Sequence, residues 1–329
     1  MQTNKITLNV HQESVRIDRF IMKQLPFLSF SAVSQMLRKG NVKLNGKRQK
    51  TSCIVKINDI IEIFNCTQCQ MTEKIITSQH KRVADLLIQS IVYKNENVLI
   101  LNKPAGLAVQ GGNKVSMSID DVTNMLKFEM MQKPKLVHRI DRDTSGILVM
   151  ARNDSAAKEL CKMFKEHNAI TKQYWALCYG VPFKLSGTIS IPLKKMNFDQ
   201  KEKMSYSADG DTAITHYKVL QHNHTMSLIQ FTIVTGRTHQ IRAHCAISGI
   251  PIIGDRKYNY EYFKLIRSSL PKNFILNSKP VQNIQSECLC LHAEKIEFKL
   301  FDNEISATAP LPERFKAILE IFQKSFITF

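Results

Sequence analysis

No stretch of this 329-residue chain is apolar for long enough to cross a bilayer as a helix. The most apolar segments, such as Ile250–Ile253 and Val98–Leu101, fall far short of the roughly 18 residues that a span requires. The opening MQTNKITLNVHQESVRIDRF has no unbroken apolar region and carries acids early, unlike a secretory leader. No Walker A motif, dinucleotide fingerprint or HExxH occurs. No cofactor is therefore expected, and any chemistry must come from side chains. Acidic residues are scarce as well: 28 Asp and Glu stand against 46 Lys and Arg, a formal charge of +18. That imbalance favours a polyanion, nucleic acid above all, as the partner.

The eight cysteines are scattered through a chain without a secretion signal, so a reduced, cytoplasmic setting fits better than a disulfide framework. Cys66-Thr-Gln-Cys69 and Cys288-Leu-Cys290 would bind zinc only if the fold joined two distant pairs, and CxC is a poor knuckle spacing. No metal is expected. Cys288 and Cys290 alternate with Leu289 and Leu291, as in a strand.

What is present divides unevenly. Residues 1–64 read as a compact basic module. ITLNV alternates like a strand, and Arg16–Leu25 places Ile17, Phe20, Ile21 and Leu25 on one helical face. Ser29 or Ser31 is expected to cap a second helix running to about Arg38, stopped by Gly40. Asn45-Gly46 marks a hairpin turn, and Ile54–Phe64 suggests another strand pair around Asn58-Asp59. Residues 1–60 hold eleven cations and three carboxylates, a net +8. Arg38, Lys39, Lys43, Lys47 and Arg48 gather at the helix end and the turn, as suits contact with a phosphate backbone.

Residues 65–86 read as a linker, with a short helix beginning near its end. Residues 87–329 alternate many strands with a few helices. Ser118–Met131, Asp154–His167, Thr238–Ser248 and Pro312–Phe322 have helical spacing. Gln173–Tyr179, Thr188–Ile191, Thr212–Leu220, Met226–Val234 and Glu294–Leu300 read as strands. The pattern implies an α+β domain around a large, mostly antiparallel mixed sheet with flanking helices.

Three constellations carry potential chemistry. His138-Arg139-Ile140-Asp141-Arg142-Asp143-Thr144-Ser145-Gly146 is dense in charge yet lies between apolar segments, as a cleft loop does. Asp141 and Asp143 are its candidate nucleophile and pairing acid. In Thr235-Gly236-Arg237-Thr238-His239-Gln240-Ile241-Arg242-Ala243-His244, Thr238 is a candidate cap, and His239 and Arg242 share a helical side. The two arginines are suited to a carboxylate and a phosphate. In Lys172-Gln173-Tyr174-Trp175-Ala176-Leu177, Tyr174 and Ala176 share one strand face and Trp175 the other.

These segments, with Asn102–Val109 (NKPAGLAV), Ile253-Gly254-Asp255 and Leu291-His292-Ala293, occur in the order found in the large-subunit ribosomal RNA pseudouridine synthases. Residues 87–316 resemble that family. Residues 15–64 resemble a small α/β S4-like RNA-binding domain, through Arg38-Lys39-Gly40-Asn41-Val42 and Leu44-Asn45-Gly46-Lys47. The resemblance implies a curved mixed sheet with an active-site cleft. It implies Asp141 as nucleophile rather than Asp143, Tyr174 as the active-site tyrosine, and Arg242 as the arginine paired with the aspartate. Arg139, with Arg237 and His239, is expected to contact RNA. Ile140 stands where the family usually has leucine, a volume-conserving change. Residues 257–280 match no motif.

The activity implied is isomerisation of uridines in large-subunit rRNA by a monomer with no membrane association. The alternatives are a synthase acting on transfer RNA or another RNA, a non-catalytic ribosome-assembly factor, and a hydrolytic glycosidase, which usually presents two carboxylates of separate role.

Overall fold

The computed structural model describes residues 5–11, 15–25, 28, 30–64, 76–112, 115–166, 169–198, 201–274 and 288–324. The chain divides into two units, Met1–Ile76 and Thr77–Phe329.

In the first unit, the helix Ile17–Gln24 buries Ile17, Phe20 and Ile21. They pack with Val33 and Leu37 of the helix Phe30–Lys39 and with Val42, Ile61 and Ile63 from an antiparallel sheet. That sheet runs Lys5–Asn9, Ile60–Phe64, Val42–Leu44, Lys47–Arg48. The last two strands are joined by Asn45-Gly46, with φ of 50° and 76°, the positive pair that a tight hairpin requires. The Asn45 side chain also ties this turn to the next one, donating to Asp59 Oδ1 and accepting from Ile60 N–H, both at 2.8 Å.

Two local expectations are corrected here. Ile54–Val55 and Ile60–Phe64 do not pair with each other: Ile54–Val55 pairs with Val15–Arg16, and Ile60–Phe64 lies between two other strands. Ser31 falls inside the second helix rather than at its cap, and Ser29 lies outside the described residues.

In the second unit, the helix Ser78–Gln89 begins at a capping box in which Thr77 and His80 satisfy each other's backbone. It buries Ala84 and Leu87 against Leu99, Leu101, Leu148 and Met150. Residues 77–86 therefore belong to the packed unit, not to a linker, because the helix has an apolar face to bury. Residues 65–75, with Cys66 and Cys69, lie outside the described residues.

The main sheet runs Ser186–Ser190, Ile214–His222, Met226–Ile233, Ile170–Tyr179, Leu291–Leu300, Ser145–Ala151, Val98–Lys103, Ile91–Lys94. Lys135–Leu136 and Asn303–Thr308 pair at its side. Every pairing is antiparallel except that of Ser145–Ala151 with Leu291–Leu300. The unit is thus α+β, with a mixed and mostly antiparallel sheet.

The parallel junction of the main sheet depends on Gly146. Its φ is +103°, and a Cβ there would come within 2.1 Å of Ala293 O. Beside it, Ser145 Oγ donates to His292 Nδ1 at 2.9 Å, and His292 Nε2 donates to Ala309 O at 3.0 Å.

Other elements depart from their expected extents. Helical structure within Ser118–Met131 is limited to Ile119–Val122 and a 3-10 turn at Thr123–Leu126. Cys288 and Cys290 precede the strand Leu291–Leu300 rather than lie in it. The hairpin Leu193–Phe198/Lys201–Tyr206 was not expected from the sequence, nor was the helix Tyr260–Ile266 in the segment that matches no motif. No helix among the described residues is long and apolar enough to cross a membrane.

Candidate active site

Asp141 lies in the polar loop between Lys135–Leu136 and Ser145–Ala151. The loop is fastened from beneath by a buried ammonium. Lys103 Nζ donates to Pro104 O, Leu107 O and Arg142 O at 2.8–2.9 Å, and Gly106 N–H also donates to Arg142 O at 2.8 Å. Burial pulls the Lys103 pKa down to about 7, against the opposing pull of Asp143 and Asp141. The NKPAG segment therefore holds the Asp141 loop through this lysine.

His138 belongs to the frame as well. Its Nε2 accepts from Val149 N–H at 2.8 Å, its ring stacks on Phe164 at 4.3 Å, and burial lowers its pKa to about 3.

The two candidate aspartates separate clearly. Asp143 accepts from Arg142 Nε at 3.1 Å, an exposed neighbour pair. Asp141 turns to a cavity of about 90 Å³ that is also lined by Arg139, Tyr174, Arg237, His239 and Arg242. All six residues expected at the site of this unit are thus brought together. Asp141 keeps 24% of its side chain exposed, so it faces the cavity without being lost in the core.

Arg242 reaches Asp141 with Nη1, at 3.2 Å from Oδ2. Its other nitrogens are occupied by a second carboxylate, absent from the expected set. Nε donates to Asp255 Oδ2 at 2.7 Å and Nη2 to Asp255 Oδ1 at 3.0 Å. Asp255 Oδ1 also accepts from Lys257 N–H and Tyr258 N–H, each at 2.9 Å. This two-pronged contact fixes the plane of the guanidinium, leaving one edge for Asp141. Burial opposes both charges. The pair nevertheless holds Asp255 below the usual carboxylate range and lifts Arg242 above its ordinary value.

The helix that carries Arg242 runs Gln240–Ile247 and starts later than its sequence suggests. Thr238 does not cap it. His239 occupies the cap position with a left-handed φ of 52° and makes no capping bond through its side chain. The Gln240 side chain instead ties down the segment leading into the helix. Its Oε1 accepts from Arg237 N–H at 3.0 Å and Thr235 Oγ1 at 2.7 Å. Its Nε2 donates to Ile214 O and Thr215 Oγ1.

Freed from the helix face, the His239 ring sits between Tyr258 and Asp141. Met204 N–H donates to the Tyr258 hydroxyl at 2.8 Å, and that hydroxyl lies 2.9 Å from His239 Nδ1. In the tautomer that carries its proton on Nε2, Nδ1 accepts a hydrogen bond from this hydroxyl. Nε2 faces Asp141 Oδ2 at 3.8 Å. Burial lowers the His239 pKa to about 4, which keeps the ring neutral near pH 7.

Tyr174 enters the cavity from the strand Ile170–Tyr179, where the register against Leu291–Leu300 shifts between Gln173 and Tyr174. A bulge of this kind re-aims a side chain. Burial, then the charge of Asp141, raises the phenol's pKa. Arg237 donates from Nε to Thr212 O at 3.0 Å, and Arg139 is exposed at the rim. His244 points away, bonded to Thr215 Oγ1 and Ile191 O.

In the first unit, Arg38, Lys39, Lys47 and Arg48 are exposed, and Lys43 lies over the Phe64 ring at 5.1 Å. Among the described residues, no group of three or more His, Cys, Asp or Glu is arranged to hold a metal.

Sequence reasoning overlooked Asp255 as the arginine's anchor, Tyr258 as the partner of His239, and Lys103 as the clamp. Gly254-Asp255 had been noted as a motif. The cue to its role was an acid following an apolar run, which must find a cation if it is buried.

The RNA pseudouridylate synthase family model matches residues 97–247, and the S4 domain model matches residues 15–61. The chain is 33% identical over 307 residues to a ribosomal large subunit pseudouridine synthase C of Rickettsia felis, covering 91% of this chain and 94% of the relative. A protein of the same name from Vibrio parahaemolyticus is 30% identical over 326 residues, covering 98% of both chains. Among solved structures, human RNA pseudouridylate synthase domain containing 4 superposes with a TM-score of 0.58 at 26% identity, covering 74% of this chain and 97% of that one. On this similarity of sequence and fold, the chain belongs to the RNA pseudouridylate synthase family and carries an N-terminal S4 domain.

Proposed function

We propose that this protein converts uridines of large-subunit ribosomal RNA to pseudouridine, with Asp141 as the reacting carboxylate. The observation that carries the reading is the Asp255–Arg242–Asp141 chain beside Tyr174: a buried, two-pronged clamp presents one guanidinium edge to a partly exposed carboxylate. The substrate assignment is supported by the relatives' names and by the basic S4 domain at the N-terminus.

The reaction cleaves the bond between uracil N1 and ribose C1′, turns the base, and joins C5 to C1′. C5 then loses its proton, and a proton is gained at N1. A carboxylate serves the first step either by attacking the sugar or by supporting its developing positive charge. Both uses require Asp141 to be ionised and aimed, which is what Arg242 provides. Tyr174 keeps its proton near neutral pH, so it offers a neutral ring for stacking on the base. Its hydroxyl can relay the C5 proton only by giving up its own in the same step. A uridine inside folded RNA must leave its stack to reach this cavity. Arg139, Arg237 and His239 line the entrance and are assigned to holding the displaced nucleotide and its phosphates.

Residues 1–64 are assigned to anchoring RNA through Arg38, Lys39, Lys43, Lys47 and Arg48, and residues 87–329 to catalysis. The protein is assigned to the cytoplasm, where ribosomal RNA is available, and to a monomer.

Mapping pseudouridines in total RNA with and without the gene tests the reading. Sites lost from large-subunit rRNA support it. Losses confined to transfer RNA, or no losses at all, contradict it. Deleting residues 1–64 should weaken RNA binding and flatten its salt dependence together, because fewer phosphate contacts release fewer counterions.

A further inference from the structure

On the helix Phe30–Lys39, Phe30, Ser34, Leu37 and Arg38 recur at helical spacing and share one face. That face forms one wall of a groove of about 1020 Å³, and the segment Arg48–Cys53 forms the other. Phe30 takes no part in the core cluster of this unit and leaves 55% of its surface exposed on the groove wall.

The polar groups around it are arranged as well. Arg48 lies across Gly40, where a Cβ would come within 2.2 Å of its Nε, and Gly40 has a φ of +77°. A side chain at position 40 would push this guanidinium aside. Arg38 is steadied by donating from Nε to Ser34 O at 3.3 Å. Lys50 is exposed on the opposite wall, and among the described residues no carboxylate lines the groove. Ser34 is 8% exposed, and its buried hydroxyl has no hydrogen-bond partner among the described residues.

We propose that this groove takes one unpaired nucleotide of the RNA, with its base stacked on Phe30 and its phosphate held by Arg38, Arg48 and Lys50. The proposal rests on the reading that the first unit anchors RNA, and it adds the form of RNA that is recognised. Charge alone would hold a duplex or an acidic peptide equally well. An exposed aromatic ring discriminates, because a base has a free π-face only when it is out of a helical stack. The guanidinium forks match phosphate oxygens, and the Ser34 hydroxyl supplies a donor at the groove wall.

The test uses the full chain with Phe30→Ala, Phe30→Trp and Arg48→Gln, checked for folding by circular dichroism. Fluorescence anisotropy is read at several salt concentrations on a labelled oligouridine and on a blunt RNA duplex. Phe30→Ala should bind the oligouridine about tenfold more weakly with an unchanged salt slope, and the duplex as the wild type does. Phe30→Trp should restore oligouridine binding. Arg48→Gln should lower the slope of log K against log[salt] by about 0.7 on the single strand.

Unchanged oligouridine binding by Phe30→Ala overturns the proposal, as does an equal loss on duplex or a failure of Trp to rescue. In each of these cases a reduced slope for Arg48→Gln leaves the RNA-anchor reading standing. If Arg48→Gln and an Arg38→Gln/Lys50→Gln pair alter neither affinity nor slope, the groove proposal falls, and the anchor reading falls with it only if deleting residues 1–64 also changes neither.

Discussion

Replacing Asp255 by asparagine removes one buried charge and keeps the side chain's shape. In the native chain Asp255 accepts four hydrogen bonds: two from Arg242 and one each from the amides of Lys257 and Tyr258. Asparagine can still accept the two backbone bonds through its carbonyl oxygen, but its amide group would then face the Arg242 guanidinium, donor against donor. Arg242 is 8% exposed; its Nε would lose the 2.7 Å bond to Oδ2 and meet an N–H instead, while Nη2 would keep the carbonyl oxygen and Nη1 the 3.2 Å contact to Asp141. Breaking a buried pair from one side costs about 3–5 kcal/mol. At about 2–4 °C per kcal/mol for a unit of this size, the melting temperature should fall by about 6–20 °C.

Two further signs distinguish this account from a general loss of packing. Asp255 titrates below its unfolded value, so its contribution is complete above the unfolded carboxylate pKa near ~4 and is lost as pH falls through the lower folded value. The asparagine variant should lack that limb of the acid-denaturation curve. Turnover measured below the melting range should lose kcat with little change in KM, because Arg242 orients a reacting group rather than binding RNA. Differential scanning calorimetry and tritium release from C5-labelled RNA supply both readings. A variant within about 1 kcal/mol of wild type with normal kcat would refute the clamp.

Arg242→Lys should be nearly as damaging as removal of the arginine, since an ammonium cannot present two edges to two carboxylates; steady-state kinetics showing kcat within about threefold of wild type would contradict this. Lys103→Met takes the buried donor from the carbonyls of Pro104 and Leu107, at about 1 kcal/mol each, and leaves Arg142 O with Gly106 N–H alone; it should cost about 2 kcal/mol in urea unfolding along with a drop in kcat as the Asp141 loop loosens. Because the Lys103 pKa falls to about 7, the folded chain binds fewer protons than the unfolded chain between about pH 7 and 10; the stability gap between wild type and Lys103→Met should therefore widen in wild type's favour across that window.

The legible parts of the molecule were those written in local patterns. The helix Ile17–Gln24 and the Asn45-Gly46 turn follow from an apolar face and a dipeptide with a strong backbone preference. Asp141, Tyr174 and Arg242 stood in segments whose order resembles a family, and the cavity brings them together. Non-local partnerships were not legible. Asp255 meets Arg242 only because the turn after Gly254 folds back onto the helix Gln240–Ile247. Tyr258 meets His239 only because the ring at the cap position leaves the helix face. The hairpin Leu193–Phe198/Lys201–Tyr206 has exposed Lys194 and Lys195 on its first strand and exposed Glu202 on its second, so it lacks the apolar alternation that would have announced it. Ile54–Phe64 suggests a strand pair because its turn residues are local, whereas its strand partners lie elsewhere in the chain.

The most direct test of the central claim is tritium release from C5-labelled large-subunit rRNA by wild type, Asp141→Asn and Asp143→Asn, each shown to fold and to bind RNA. Wild type should release tritium, Asp141→Asn should release none above background, and Asp143→Asn, whose carboxylate pairs with exposed Arg142 outside the cavity, should stay within a few-fold of wild type. Turnover by Asp141→Asn, or its loss in Asp143→Asn alone, would contradict the account.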